Sequence, residues 1–299
     1  MPSLRQIRYF IAAAEAQKIT SAAAALSISQ SAITIAIKEL EVELGVRLFT
    51  RSASGISLTF EGVRFLTHAR NIEATVADSV RAMRSETQAI QGSLRLGMTY
   101  TVAGYFLFPL LARFRRTFPD AIIDLLEDER TALERKLKAG EIDVALLLVS
   151  NLEDRERIAH RTLLRSKRRL WLPSGHVLLK ETKVTMADLI REPYVLLNAD
   201  EADRSAEGYW KKNKVEPNVV FRTSSIEAVR SMVATGAAIT ILSDMVYRPW
   251  SLDGGRVETK DVSASIPTMD VGLAWLRKRA LSRLAHMFDE FLRSAVVPA

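Results

Sequence analysis

The chain of 299 residues contains no cysteine. Disulfides, thiolate nucleophiles and cysteine-ligated zinc are therefore excluded, and a reducing compartment suits such a chain. Histidine is almost as scarce. His68, His160, His176 and His286 are scattered without the spacing of metal ligands. No G-x-S-x-G elbow, Walker A loop or G-x-G-x-x-G turn after a strand is present. No enzyme, metal or other cofactor is expected. Apolar runs are short, none reaching the roughly 18 residues that cross a bilayer. Met1-Pro2-Ser3-Leu4-Arg5 lacks the charged and apolar regions of a signal peptide. The expected location is the cytoplasm, away from any membrane. What the chain does have is a formal charge of +7 and an ordinary hydrophobic share of 48%. That charge is compatible with nucleic acid, but solubility alone can account for it.

The first 60 residues read as helices. The stretch Ile19 to Arg51 holds two that differ in bulk. Ser21-Ala22-Ala23-Ala24-Ala25 is small throughout, which lets a second helix cross closely. After the polar break Ser27-Ile28-Ser29-Gln30, a helix to Leu44 gathers Ile33, Ile37, Leu40 and Leu44 on one narrow arc. Ser31, Thr34, Ile35 and Lys38 fall on the other side, with Gln30 at the N-terminal end. Such groups reach base edges and phosphates. The pattern is that of a helix-turn-helix whose second helix enters the major groove. A plain helical hairpin with a solvated face fits the wheel equally well. From Phe60 to about Ile90 no proline occurs. Leu66, Ala69, Glu73, Val76, Val80, Met83, Thr87 and Ile90 follow steps of three and four, a coiled-coil seam with polar members. An ordinary amphipathic helix is the alternative.

Gln91-Gly92-Ser93 ends that helix, and strands then alternate with helices. Strands are expected at Leu94–Met98, Ile122–Leu126, Val144–Val149, Arg169–Pro173, Tyr194–Leu197, Val219–Thr223, Ile239–Leu242 and Val271–Leu276. Helices are expected between several of them and at Leu281–Val296. Thr131 with Glu134, Thr185 with Asp188 and Ser224 with Glu227 read as helix caps. This order argues for an α/β fold with a parallel sheet, in two lobes.

Many positions resemble the LysR-type transcriptional regulators. They are Leu4, Tyr9, Phe10, Ala22-Ala23, Leu26, Ser29-Gln30-Ser31-Ala32-Ile33-Thr34, Ile37, Leu40-Glu41, Leu44-Gly45, Leu48-Phe49, Arg51, Leu58-Thr59 and Gly62. Gly140-Glu141-Ile142-Asp143, Asp188-Leu189, Pro193-Tyr194 and Val233-Ala234 with Gly236 continue the likeness. The resemblance implies a winged helix-turn-helix over 1–60, a dimerising linker helix over 61–91 and a two-lobed, periplasmic-binding-protein-like effector domain over 92–299. Lobe I would take about 92–165 and 268–299, and lobe II about 166–267. Double-stranded promoter DNA with dyad symmetry, a small organic-acid effector and a homotetrameric dimer of dimers are the implied partners. The implied DNA-binding set is Gln30, Ser31, Thr34, Ile35, Lys38, Arg51 and Ser54. Ile35 stands where many relatives carry a basic residue, and Ser54 near the place of a second wing arginine. The first 90 residues hold ten Lys or Arg against eight Asp or Glu. One head should neutralise few phosphates, so tight binding must lean on several heads.

If the resemblance holds, the effector lies between the lobes, near strand ends and helix starts. Thr99, Tyr100, Thr101, Arg130, Asn198 and Ser224 are the expected contacts. Thr99 to Thr101 read equally as a helix cap. Arg130 either clamps an acid or pairs with Glu129 and closes the pocket. Leu147-Leu148-Val149 and Met269-Asp270 are the expected crossings between lobes. Function is thus expected to be ligand-switched transcription regulation. The alternative is a constitutive repressor or architectural protein whose α/β part serves only assembly.

Overall fold

The computed structural model describes residues 1–52, 55–84 and 92–296, with side chains described for 1–50, 55–77 and 92–296. Ser54, Thr87 and Ile90 lie outside the described residues, as do the side chains of Arg51, Val80 and Met83. The chain divides into two compact units, Met1–Gln88 and Ala89–Ala299.

The first unit contains α1 (Leu4–Ala16), α2 (Ile19–Leu26), α3 (Gln30–Leu44), β1 (Phe49–Ser52), β2 (Gly55–Leu58) and α4 (Phe60–Arg84). Ser3 and Gln6 form a capping box that starts α1. Ala22 and Ala23 of α2 are buried in the same cluster as Ile7 and Phe10 of α1 and Ile33, Ile37 and Leu40 of α3. Small side chains there let the three helices approach closely. The axes of α2 and α3 turn through 109° at the short break. Ser29 caps α3 by accepting from the Ala32 N–H at 3.2 Å. β1 and β2 pair antiparallel as a wing. The Glu41 carboxylate fastens the wing to α3, accepting from the N–H groups of Leu48 at 2.7 Å and Phe49 at 3.1 Å. At Gly62 a Cβ would sit 2.1 Å from the Leu48 carbonyl oxygen, so only glycine lets α4 start against this segment.

The opening of α4 is committed within the unit. Ala69 is buried in the head core, Leu66 packs on it, and Phe65 lies edge-on to Phe10 at 5.1 Å. Glu73 pairs with Arg8 of α1 at 3.3 Å. The first three positions of the expected seam thus have contacts within the head, with Ala69 buried, Leu66 half-buried and the Glu73 side chain still 42% exposed.

The second unit runs β3 (Gly92–Met98), α5 (Tyr100–Val102), a π-turn (Ala103–Leu107), α6 (Phe108–Thr117), β4 (Ala121–Glu127), α7 (Arg130–Ala139), β5 (Val144–Leu148), β6 (Ile158–Ser166), β7 (Arg168–Pro173), α8 (Met186–Leu189), β8 (Pro193–Leu197), α9 (Ala202–Lys212), β9 (Asn218–Thr223), α10 (Ile226–Ala234), β10 (Thr240–Ser243), β11 (Val257–Lys260), β12 (Met269–Leu276) and α11 (Arg283–Ala295). Lobe I is a five-stranded sheet ordered β4-β3-β5-β12-β6. Every residue of β5 is buried. Val144, Leu146 and Leu148 face the cluster of α6 and α11, while Ala145 and Leu147 face Leu133 and Leu137 of α7. Period-two alternation between two covered faces explains the unbroken apolar run. Lobe II carries β10-β7-β11 and β8-β9. A bridge from Tyr194 to Ile239 joins these two sheets.

Several expectations need correcting. The lobe I sheet is mixed, because β12 pairs antiparallel with both β5 and β6. Reading β6, β11 and α9 from pattern alone failed, β6 because its nine residues are mostly half-buried and show no clean alternation. Leu147 and Leu148 do not cross between lobes, since β5 leads through residues 149–151 back into β6 of the same sheet. The crossings fall between Ser166 and Arg168 and just before Met269. Thr185 and Asp188 do form a capping box. α7, however, starts two residues earlier than a Thr131 cap requires, with Glu129 at its N-cap, and α10 is capped by Ser225 rather than Ser224.

Candidate functional site

On α3 the apolar arc and its opposite face separate cleanly. Ile33, Ala36, Ile37 and Leu40 are buried. Gln30, Ser31, Ile35 and Lys38 are exposed, Ile35 to 56%. Two hydroxyls on this face are already engaged. Ser31 Oγ lies 2.9 Å from Ser29 Oγ, and Thr34 Oγ1 donates to the Gln30 carbonyl at 2.9 Å. Thr34 therefore presents its methyl and a free lone pair rather than its proton. The side chains of Gln30, Ile35 and Lys38 make no hydrogen bond or ion pair among the described residues. α3 thus shows a row of one amide, one branched apolar group and one ammonium, unpartnered on a rigid helix. Such a row offers amide and ammonium donors to base edges and phosphates.

The second unit contains a cleft of about 310 Å³ where its lobes meet. Thr99, after β3, lines it. This side chain is 1% exposed, and its Oγ1 has no hydrogen-bond partner, so it does not cap the following helix. Arg130, the first residue of α7, is buried in the cleft wall. Its Nη1 donates to Glu134 at 2.6 Å, and its Nη2 donates to Glu201 at 2.7 Å and Glu153 at 2.8 Å. Glu201 belongs to lobe II, so this pair bridges the lobes. These bonds, those of Glu201 above all, outweigh burial and hold the guanidinium still more firmly in its charged form. Asp200 bridges as well. Its Oδ2 accepts from the Thr101 backbone N–H at 2.7 Å, and its carbonyl accepts from Asn151 Nδ2 at 3.1 Å. A fourth bridge runs from Tyr105 Oη, in the π-turn, to Glu227 of α10 at 3.1 Å. Burial, ahead of its charged neighbours, pushes this phenol above its ordinary range.

Of the expected contacts, Thr99, Arg130 and Asn198 line the cleft. Thr101 does not line it, but its backbone N–H donates to Asp200, which does. Tyr100 is 47% exposed and Ser224 is exposed, and neither lines the cleft. Arg130 closes the pocket by pairing, but with Glu201, Glu134 and Glu153 and not with Glu129. Glu201 and Asn151 escaped the sequence reading. The acidic run Asp200-Glu201 with Asp203, directly after a buried strand, was the available signal.

A winged helix-turn-helix head followed by a two-lobed α/β unit with a polar interlobe cleft defines a DNA-binding regulator with an effector-binding domain. Two family models cover almost the whole chain: "Bacterial regulatory helix-turn-helix protein, lysR family" over residues 4–63 and "LysR substrate binding domain" over 87–296. The chain belongs to the LysR family of transcriptional regulators, and it is not an enzyme. It is 30% identical to the uncharacterized HTH-type transcriptional regulator YcgK of Bacillus subtilis, covering 98% of this chain and 94% of that one. With the DNA-binding transcriptional dual regulator OxyR of Escherichia coli the identity is 27%, over 98% and 100% of the two chains. Among solved structures, HinK of Pseudomonas aeruginosa matches with 28% identity and a TM-score of 0.65 over 99% of each chain.

Proposed function

We propose that the protein is a cytoplasmic regulator that reads promoter DNA of dyad symmetry with α3 and responds to a small organic acid in the interlobe cleft. Gln30, Ser31, Thr34, Ile35 and Lys38 meet the major groove, and Arg51 and Ser54 of the wing meet the backbone. Thr99, the Thr101 N–H, Arg130 and Asn198 meet the effector. The observation that carries the DNA reading is the unpartnered row on α3. Lys38 makes no ion pair among the described residues, although Glu39 and Glu41 lie on the same helix, and Ile35 gains nothing from water. Assembly involves further copies of this chain, with α4 beyond Glu73 as one contact. A second is offered by the edge strands β4 and β9, which expose Ile122 and Leu125, and Val220 and Phe221. Dimers of dimers then place several heads on one site.

This chain has no cysteine, so no thiol can serve as its sensor. A second reading, constitutive regulation, is favoured by one observation: Arg130 and the Thr101 N–H are already satisfied by Glu201 and Asp200. Footprinting the protein on its own upstream region, with and without a panel of organic acids, separates the two. A footprint that changes with one acid supports the switch. An unchanging footprint supports the constitutive reading, and no footprint contradicts both.

A further inference from the structure

The cleft is acidic, although its buried cation and backbone donor suit an anion. Arg130 and Arg204 share its wall with Glu129, Asp200, Glu201 and Asp203. The two best anion-binding groups, the buried guanidinium and the Thr101 N–H, are both held by carboxylates from one short lobe II segment. Arg130 Nε and Nη2 both donate to the Glu201 carboxylate, the fork geometry by which arginine holds a free acid. Asp200 and Glu201 reach these positions at φ +49° and +61°, left-handed backbone that residues with a Cβ rarely adopt. Beside them the Thr99 hydroxyl is buried without a partner. Two consecutive non-glycine residues in that conformation persist only where their surroundings hold them.

We propose that Asp200 and Glu201 are an intramolecular ligand. They occupy the cleft's carboxylate site, and an acid effector acts by exchanging with them rather than by filling an empty pocket. The proposal rests on the effector reading of the cleft and adds how that site is regulated. Exchange removes the Arg130–Glu201 and Thr101–Asp200 bridges and frees the strained turn to relax, so occupancy by an outside acid is coupled to the contact between lobes. The resident groups also set a threshold. If they hold the site about 99% of the time, an acid binds about a hundredfold more weakly than to a vacated one.

Acetate is a suitable probe, because it carries the chemical group removed by the substitution and nothing more. In the full chain, Asp200→Ala/Glu201→Ala should melt several degrees lower than wild type. It should recover in a saturable manner with sodium acetate, compared with sodium chloride at equal ionic strength. Wild type should show no acetate-specific shift, and adding Arg130→Ala should abolish the recovery. If the double variant does not fold, Glu201→Gln, which keeps the shape and removes one charge, decides the matter by the same comparison. Equal acetate responses in variant and wild type would overturn the proposal, as would recovery that survives loss of Arg130. Acetate recovery in a protein whose footprint ignores every acid tested would uphold the self-filled site and overturn the effector reading instead.

Discussion

The outer face of α3 and the interlobe cleft are both polar surfaces laid against apolar cores, yet their side chains are in opposite states. On α3, Gln30, Ile35 and Lys38 stand without partners among the described residues. In the cleft, Arg130 has three carboxylate partners and the Thr101 N–H has one. A surface that meets a large, rigid polyanion can wait open, because water satisfies it meanwhile at little cost. A buried guanidinium cannot wait in that way, since an unpaired charge in a closed wall is strongly unfavourable. The chain supplies its own counter-ions there. On the proposed reading, an unpartnered residue marks the DNA-facing site, whereas in the cleft the over-partnered residue marks the effector site.

The comparison predicts unequal consequences for single substitutions. Arg130→Ala should have the largest, because Glu134 is buried and would lose its cation. A loss of about 3–5 kcal/mol in the denaturant stability of the second unit is expected. A loss below about 1 kcal/mol would mean that the cleft charges are solvated after all. Asp143→Asn comes next. Its carboxylate accepts from Arg95 Nε at 3.2 Å, Arg95 Nη2 at 2.7 Å and the Arg95 N–H at 2.9 Å. Burial pushes Asp143 up, but these bonds and Arg279 outweigh it and hold the group below the usual carboxylate range. Its contribution is therefore present above the ordinary Asp pKa and is lost as pH falls through the depressed one. The variant should lose about 1.5–3 kcal/mol at neutral pH and less in acid. A deficit that does not shrink in acid would exclude this carboxylate as its source. Thr34→Ala should leave folding intact and weaken the specific site by roughly 1–3 kcal/mol, with little effect on random DNA. Equal losses on both duplexes, read by fluorescence anisotropy, would remove Thr34 from base reading.

Much of the head is legible because its determinants are local. The buried arc of α3, the alanines of α2 and the polar break follow from helical period and side-chain size. Gly62 and Glu41 also stand out in the sequence, but their reasons are tertiary: a close approach to Leu48 and a carboxylate that ties the wing. The cleft is legible only in part. Thr99 and Arg130 follow from their places at strand and helix ends. The lobe II partners of Arg130 and of the Thr101 N–H lie about 70 to 100 positions away, and no periodicity signals which acid meets which donor. Leu66 and Ala69 fit both a seam and a head core, because both call for an apolar residue at the same spacing. Only the packing distinguishes them.

The central claim is that side chains left open on α3 are open because DNA is their partner, and Ile35 tests it most directly. This residue is exposed to 56%, on the face of α3 opposite its buried arc. In the major groove it would pack on a thymine C5-methyl, an apolar contact that distinguishes T from C. Substituting Ile35→Arg should raise non-specific affinity, steepening the salt dependence by about one unit of slope for each new phosphate contact. The decisive measurement is binding of the wild-type protein to its natural site and to duplexes in which single groove thymines are replaced by uracil. Loss of one methyl should weaken binding by about 0.8 kcal/mol, roughly fourfold, at one position in each half-site. Ile35→Arg should be indifferent to that change. A wild-type protein indifferent to uracil at every groove position would contradict the account.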